Sequence, residues 1–128
     1  MLAHMERSRL VRTTLRTLHL IAFGAFYGGH VFDVDAERLE PALVAVIASG
    51  TAFFLFEVWR APAFLTQIRG LAVYIKIALL VSISWFWEER VAILTVSAAI
   101  GAAISHAPSN WRYYDILEGR VIETNSKG

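Results

Sequence analysis

Residues 71–87 read LAVYIKIALLVSISWFW, and this stretch decides the fold class. It is almost entirely apolar and aromatic, and Lys76 is its only charged residue. Three further apolar segments occur at about 17–32, 42–59 and 91–106. A membrane-spanning helix needs about 20 predominantly apolar residues, whereas a helix of a soluble bundle carries a polar face with a period of 3.6. The sequence therefore predicts an all-α fold, a four-transmembrane-helix antiparallel bundle in a single integral membrane domain.

The composition narrows the possible partners. Hydrophobic residues make up 56% of the 128-residue chain, which is more than soluble domains usually contain. The chain has no cysteine, so disulfides and thiolate metal sites are excluded. A net charge of +1 gives no reason to expect a nucleic-acid partner. The expected partner is the lipid bilayer.

The basic residues predict the orientation. Lys and Arg near the ends of spans favour the cytoplasmic side of a membrane. If four helices alternate in direction, nine basic residues fall on one side: Arg7, Arg9, Arg12, Arg16, Arg60, Arg69, Arg112, Arg120 and Lys127. The other side carries Arg38 and Arg90 together with most of the acidic residues. We therefore expect a multi-pass protein of a bacterial inner membrane, with both termini in the cytoplasm.

A short cytoplasmic tail is predicted over residues 107–128. Within it, YYDILEGRVIET (113–124) places a Glu-Gly pair between two short runs that contain apolar residues. Such a pattern permits either a β-hairpin or an interfacial helix that is broken at Gly119.

Four polar residues lie within or at the ends of the apolar segments, one in each. The predicted topology places His19, Glu57, Lys76 and His106 at similar depth on the cytoplasmic side. Ionisable groups inside a membrane are costly, which makes them candidates for a functional site. The simpler alternatives are that Lys76 extends its ammonium to the interface and that the other three are solvated at helix ends.

Haem b is the most specific cofactor that these residues suggest. His19 and His106 would be axial ligands of the iron, because imidazoles from two helices can bind one haem. Lys76 would pair with an acidic group of the cofactor, and Glu57 would be its counter-ion or a proton acceptor. A transition metal bound by His19, His106 and Glu57 is the alternative.

The predicted outer side carries a second cluster that includes His30, Asp33 and Asp35. These side chains are candidate ligands for a metal ion such as copper. The alternative is a solvated acidic rim, which the charge asymmetry across the membrane would itself require.

Small residues repeat along the first helix. Gly24-x-x-x-Gly28 is a spacing that lets transmembrane helices approach closely. It predicts either packing within the bundle or a contact with a second copy or a larger membrane complex.

Parts of the chain resemble two families of small bacterial membrane proteins. LHLIAFGAFYGGHVF (18–32) with its basic lead-in, QIRGLAVYIKIALL (67–80) and SHAP (105–108) are similar to segments of the HemJ-type haem-binding protoporphyrinogen oxidases and of the CopD-type copper-resistance domains. The resemblance to the HemJ type implies that His19 and Lys76 form a functional pair.

Three functions are consistent with the sequence. The first is an inner-membrane protein with a cytoplasmic-side polar site for haem or a metal ion. The second is a cofactor-free accessory or structural subunit of a membrane complex. The third is a small cation (copper) transport or resistance protein. No residue is assigned a catalytic role.

Overall fold

The structure, a computed structural model, describes residues 2–122, except for the side chains of residues 2, 4 and 5. Helices account for 81% of the described residues, so the all-α prediction is confirmed. The described residues divide into two compact units, 2–60 (unit 1) and 61–122 (unit 2). Each unit contains two long antiparallel helices, and unit 2 also contains a small hairpin.

Helix α1 spans Leu2–Val31 and begins well before the predicted start at residue 17. Its first half is rich in Arg, Leu and Thr and contains no Gly or Pro, so nothing interrupts the helix as it leaves the apolar segment. With 30 residues it is about 45 Å long, which exceeds the hydrocarbon thickness of a bilayer, about 30 Å.

A Schellman motif ends α1. The Val34 amide donates to the Gly29 carbonyl at 2.8 Å, and the Asp33 amide donates to the His30 carbonyl at 3.1 Å. Asp33 adopts a left-handed conformation with φ of 56°. Glycine usually occupies this position, because a side chain is strained there. Asp33 therefore has a structural role as the residue that turns the chain after α1.

Helix α2 spans Ala36–Arg60 and packs against α1. The core of the pair includes Phe26 from α1 and Leu39 and Val46 from α2, all of them buried. A Cβ on Gly29 would collide with the Leu39 side chain, so this glycine lets the two helices approach each other.

Gly24 and Gly28 behave differently from Gly29. Within the described residues, a Cβ at either position would meet no atom within 4 Å. The predicted small-residue face is therefore not used for packing within the part of the chain that the structure describes.

Unit 2 begins with a short 3-10 helix, Pro62–Thr66, which leads into α3, Ile68–Ser82. Helix α3 ends earlier than the predicted residue 87. The Ser82 hydroxyl donates to the Leu79 carbonyl at 2.6 Å, and such back-bonding competes with the helical pattern. The residues that follow are β-branched, polar or aromatic, with low helix propensity, and they form turns.

A second 3-10 helix, Trp87–Glu89, connects α3 to α4, Arg90–His106. The bounds of α4 agree with the predicted 91–106. The two helices of unit 2 pack against each other, and Leu94 and Ser97 on α4 are buried.

The tail contains α5, Ser109–Arg112, followed by a two-stranded antiparallel hairpin. Strand β1, Tyr114–Asp115, pairs with β2, Arg120–Val121. Gly119 lies in the turn with φ of +68°, a conformation that favours glycine. The hairpin is therefore the correct one of the two alternatives, and the predicted tail continues into residues 123–128, which lie outside the described part.

One helix among the described residues, α2, is both long enough and apolar enough to cross a membrane. This finding supports membrane association.

Candidate functional site

His19 lies between the two helices of unit 1 and is held by α2. Its Nδ1 lies 3.0 Å from Oγ of Ser49. The Ser49 hydroxyl donates its own proton to the Ala45 carbonyl at 2.6 Å, so toward His19 the oxygen acts as an acceptor. This arrangement favours the neutral tautomer with the proton on Nδ1 and the lone pair on Nε2. This tautomer is the one in which Nε2 can bind a metal.

Gly50 provides the space for the His19 ring. A Cβ at position 50 would lie 3.0 Å from Cε1 and 3.3 Å from Nδ1 of His19. The imidazole therefore rests against the backbone of α2. Ser49 lies about 16 Å along the helix axis from Arg60 and about 20 Å from Ala36, so His19 meets α2 near its middle.

Glu57 forms an ion pair elsewhere on α2. It is buried, with 2% of its surface exposed, and Oε1 lies 3.2 Å from Nη1 of Arg60. Arg60 also lies over the Phe56 ring at 5.8 Å. Glu57 is about 12 Å further along the helix axis than Ser49. His19 and Glu57 therefore meet α2 at different positions along its axis, and Arg60 serves as the counter-ion of Glu57.

Lys76 lies in the interior of α3 and faces α4. It is half-buried, and its Nζ lies 3.6 Å from where a Cβ on Gly101 would stand. Within Ala61–Ile122, the structure gives this ammonium no hydrogen-bond or ion-pair partner. Gly101 follows the buried Ser97 by one turn, so both face the neighbouring helix. Lys76 therefore reaches a glycine on α4 inside the helix pair.

His106 does not join Lys76. It is the last residue of α4, and it is exposed. It lies about 8 Å along the axis from Gly101 and about 140° around the helix. Lys76, which contacts α4 at Gly101, and His106 thus lie at different heights along α4 and on different sides of it. In unit 1, His19 and Glu57 are likewise separated along α2.

The predicted outer metal cluster does not assemble. His30 is buried with its ring edge-on to Phe26 at 4.7 Å, whereas Asp33 and Asp35 are exposed. Across the described residues, no group of three His, Asp or Glu side chains is arranged to hold a metal ion. Asp33 is explained by its position at the end of α1.

A polar cluster that the sequence did not reveal joins the tail hairpin to the loop before α3. Gln67 is fully buried, and its amide nitrogen donates to the Ile122 carbonyl at 2.6 Å. Its side-chain oxygen accepts from Nε of Arg69 at 2.7 Å. The Arg69 guanidinium lies between the rings of Phe64, at 4.8 Å, and Tyr113, at 4.5 Å. These contacts fix the hairpin to the segment around Gln67 and Arg69 at the start of α3.

Asp115 provides the second connection of this cluster. Its Oδ2 accepts from the Thr66 hydroxyl at 2.5 Å, and its Oδ1 accepts from the amides of Leu117 and Glu118 at 2.9 Å each. The Thr66 bond is the main cause that lowers the pKa of Asp115, and the backbone donors add to it while burial opposes it. The carboxylate therefore organises the hairpin turn in its ionised form.

The signal for the places where His19 and Lys76 pack inside their helix pairs is the small residues of the neighbouring helices. Ser49-Gly50 and Gly101 lie in otherwise apolar helices, where small residues mark places of close approach. What the sequence could not supply is the partner across the helix interface, since that depends on the register of each pair.

No family of known proteins matches the sequence, and neither the curated proteins nor the solved structures contain a match.

Proposed function

We propose that the chain is a multi-pass protein of a bacterial inner membrane, with α1 to α4 crossing the bilayer and both termini in the cytoplasm. The distribution of exposed and buried side chains supports this location. Leu20, Ile21 and Leu55 are at least 60% exposed on the helices, while His30, Glu57, Gln67 and Ser97 are buried. A soluble domain has the opposite pattern, and exposed apolar surface of this extent needs lipid or a partner to cover it.

The helix lengths bear on this proposal. Helix α3 has 15 residues and α4 has 17, so they are about 22 Å and 26 Å long. Both are shorter than a hydrocarbon core of about 30 Å. The apolar turn after α3 adds length, and its exposed Trp85 and Phe86 suit a membrane interface. Modest thinning of the bilayer would accommodate the remaining difference.

Within this location, we propose that the protein binds haem b or a comparable metal-containing cofactor through His19. The observation that carries the proposal is the 3.0 Å contact between His19 Nδ1 and Ser49 Oγ, since it favours the tautomer with the lone pair on Nε2. Gly50 leaves the room that the imidazole needs. A bound haem would supply one-electron chemistry at its iron. The role of Ser49 is to hold the ring in one tautomer and one orientation.

Lys76 is proposed to pair, within unit 2, with an acidic group of a bound molecule. An ammonium without a partner in its own unit is costly inside an apolar helix pair. An ionisable residue that costs stability in this way is a candidate for a functional role.

Visible absorbance and metal analysis of the detergent-purified protein test the cofactor. The expected result is a haem spectrum that is lost in His19→Ala and altered in Ser49→Ala, because the alanine no longer fixes the ring. His30→Ala is the matched control, since that imidazole packs on Phe26 and should leave the spectrum unchanged. Purified protein that contains neither haem nor metal would eliminate this function.

A second test separates a functional lysine from a structural one. Lys76→Met should raise the free energy of unfolding by about 1–3 kcal/mol, because it removes a charge from an apolar interior. The same variant should lose the acidic molecule bound to unit 2, whereas Lys76→Arg should retain part of it. A Lys76→Met protein that is less stable and binds as before would contradict the proposed role.

The alternative function is a cofactor-free accessory subunit, and the open space beside Gly24 and Gly28 favours it. Another helix could approach α1 closely at these two glycines. Gly28→Leu would then abolish co-purification with partner proteins while the melting temperature stays the same. Normal assembly of this variant would rule out that contact.

A further inference from the structure

Unit 2 contains a cavity of about 200 Å³ beside the first turns of α3. Apolar and aromatic side chains form most of its lining: Leu65, Leu71, Tyr74, Ile116 and Leu117. The cavity lies between the 3-10 helix before α3, α3 and the turn of the tail hairpin.

The polar groups at the cavity are already hydrogen-bonded to the protein. The Tyr74 hydroxyl donates to the Leu65 carbonyl at 2.8 Å. The Thr66 hydroxyl donates to Asp115, and the Gln67 amide is used by Ile122 and Arg69. A ligand in this cavity therefore gains apolar contact and few hydrogen bonds, which suits a hydrocarbon chain.

The cavity opens onto apolar surface. Leu117 at the hairpin turn is 80% exposed, and Ile116 is 47% exposed. Leu71 and Tyr74 are also exposed, and Ile75 continues the same face along α3. Covering a large aliphatic side chain is worth about 1.5–3 kcal/mol relative to leaving it in water. The turn thus extends the apolar face of a helix that we place in the membrane.

Hydrogen bonds hold the hairpin turn in this position. The Ile116 amide donates to the Thr66 carbonyl at 2.9 Å, and the Gly119 amide donates to the Asp115 carbonyl at 2.8 Å. The Asp115 carboxylate caps the next two amides. Because the backbone fixes the turn, Leu117 is presented at the surface in a preformed arrangement, with little ordering entropy left to lose on binding.

We propose that an acyl chain of a phospholipid in the cytoplasmic leaflet occupies this cavity, with Ile116 and Leu117 inserted beside it. The tail hairpin is then an anchor in the membrane interface. Arg120 pairs with Glu118 at 3.2 Å on the surface of the turn, and its side chain is 67% exposed, so in the proposed site the guanidinium exchanges this solvated carboxylate for the lipid phosphate. A protein segment would bring peptide groups that need hydrogen-bond partners, and the polar groups lining the cavity are already used. The inference rests on the membrane location proposed above.

The absence of cysteine from the chain allows a direct test. Leu117→Cys is labelled with an environment-sensitive fluorophore in nanodiscs of phosphatidylcholine and phosphatidylglycerol. Spin-labelled phospholipid is the quencher in the leaflet, and iodide is the quencher in water. Glu118→Cys, the next residue of the same turn, is the matched control.

The expected result at position 117 is strong quenching by the spin-labelled lipid and several-fold weaker quenching by iodide than at position 118. Equal exposure of both positions to iodide, without quenching by lipid, would overturn the proposal. Protection that occurs only in nanodiscs with two copies of the protein would also overturn it, because the occupant would then be a second copy. The exposed turn should tolerate both substitutions, and the melting temperature checks the fold.

A third position separates this inference from the membrane location. Leu55 on α2 is 60% exposed. A fluorophore on Leu55→Cys should be quenched by the spin-labelled lipid if α2 crosses the bilayer. Lipid quenching at 55 without lipid quenching at 117 would refute the acyl-chain site and leave the membrane location standing. The absence of lipid quenching at both positions would refute both.

Discussion

Gly70→Ala is expected to destabilise the protein, because a side chain at this position has no room. Gly70 lies in the first turn of α3 and is buried. A Cβ there would overlap the backbone carbonyl oxygen of Phe64. The obstacle is a main-chain atom, so the 3-10 helix before α3 would have to move.

The expected magnitude follows from two opposing effects. Overpacking costs about 1–3 kcal/mol, with this backbone clash at the upper end of that range, and the better helix propensity of alanine returns up to about 1 kcal/mol. The net destabilisation is about 2 kcal/mol, or roughly 5–10 °C in the melting temperature for a chain of this size. Gly24→Ala is the control, since a Cβ there meets no described atom within 4 Å. It should be stabilising by up to about 1 kcal/mol.

Thermal unfolding in detergent, followed by circular dichroism, measures both variants. Limited proteolysis of the tail is a second measurement, because Gln67 and Arg69 hold the hairpin and adjoin the displaced segment. Faster cleavage of the tail is expected in Gly70→Ala and unchanged cleavage in Gly24→Ala. If Gly70→Ala melts at or above the wild-type temperature, the close packing of α3 on the 3-10 helix is refuted.

Three further outcomes are expected. Asp33→Gly should stabilise unit 1 by about 0.5–1 kcal/mol, because glycine adopts the left-handed conformation without strain; a lower melting temperature would contradict this. The lowered pKa of Asp115 means that its contribution to hairpin docking is complete above its ordinary pKa and is lost as the pH falls through the lowered value. The protection factors of the hairpin amides, which compare each exchange rate with the intrinsic rate at the same pH, should therefore stay constant from about pH 7 to 5 and fall only below about pH 4, with Asp115→Asn removing this dependence. Gly50→Ala should displace the His19 ring by a few tenths of an ångström, and unchanged chemical shifts of that imidazole in NMR spectra would contradict the packing described.

The sequence predicts the class of fold because apolar content and segment length are averages over many residues. The ends of the helices depend on single interactions and were less predictable. Helix α1 continues to Leu2 because no residue stops it, and α3 ends at Ser82, where a hydroxyl bonds to the Leu79 carbonyl. The hairpin was one of two alternatives, and the left-handed Gly119 is the residue that decides for it.

The candidate site was predictable only in part. His19 and Lys76 stand out because they are polar within apolar helices, and each lies against a glycine of the adjoining helix. The separations of Glu57 from His19 along α2 and of His106 from Lys76 along α4 were not predictable, since they depend on the ends and register of the helices. Ser49 was not predicted, because only the geometry of α1 against α2 brings its hydroxyl to the imidazole.

The continuity of α1 has a consequence for its basic first half. Arg7, Arg9, Arg12 and Arg16 belong to the same unbroken helix as His19. Insertion of a single alanine after Arg16 would rotate that entire half by about 100° and shift it by about 1.5 Å. Any protein or headgroup that binds the arginines is therefore held at a fixed angle around the α1 axis, and at a fixed distance along it, relative to the His19 imidazole.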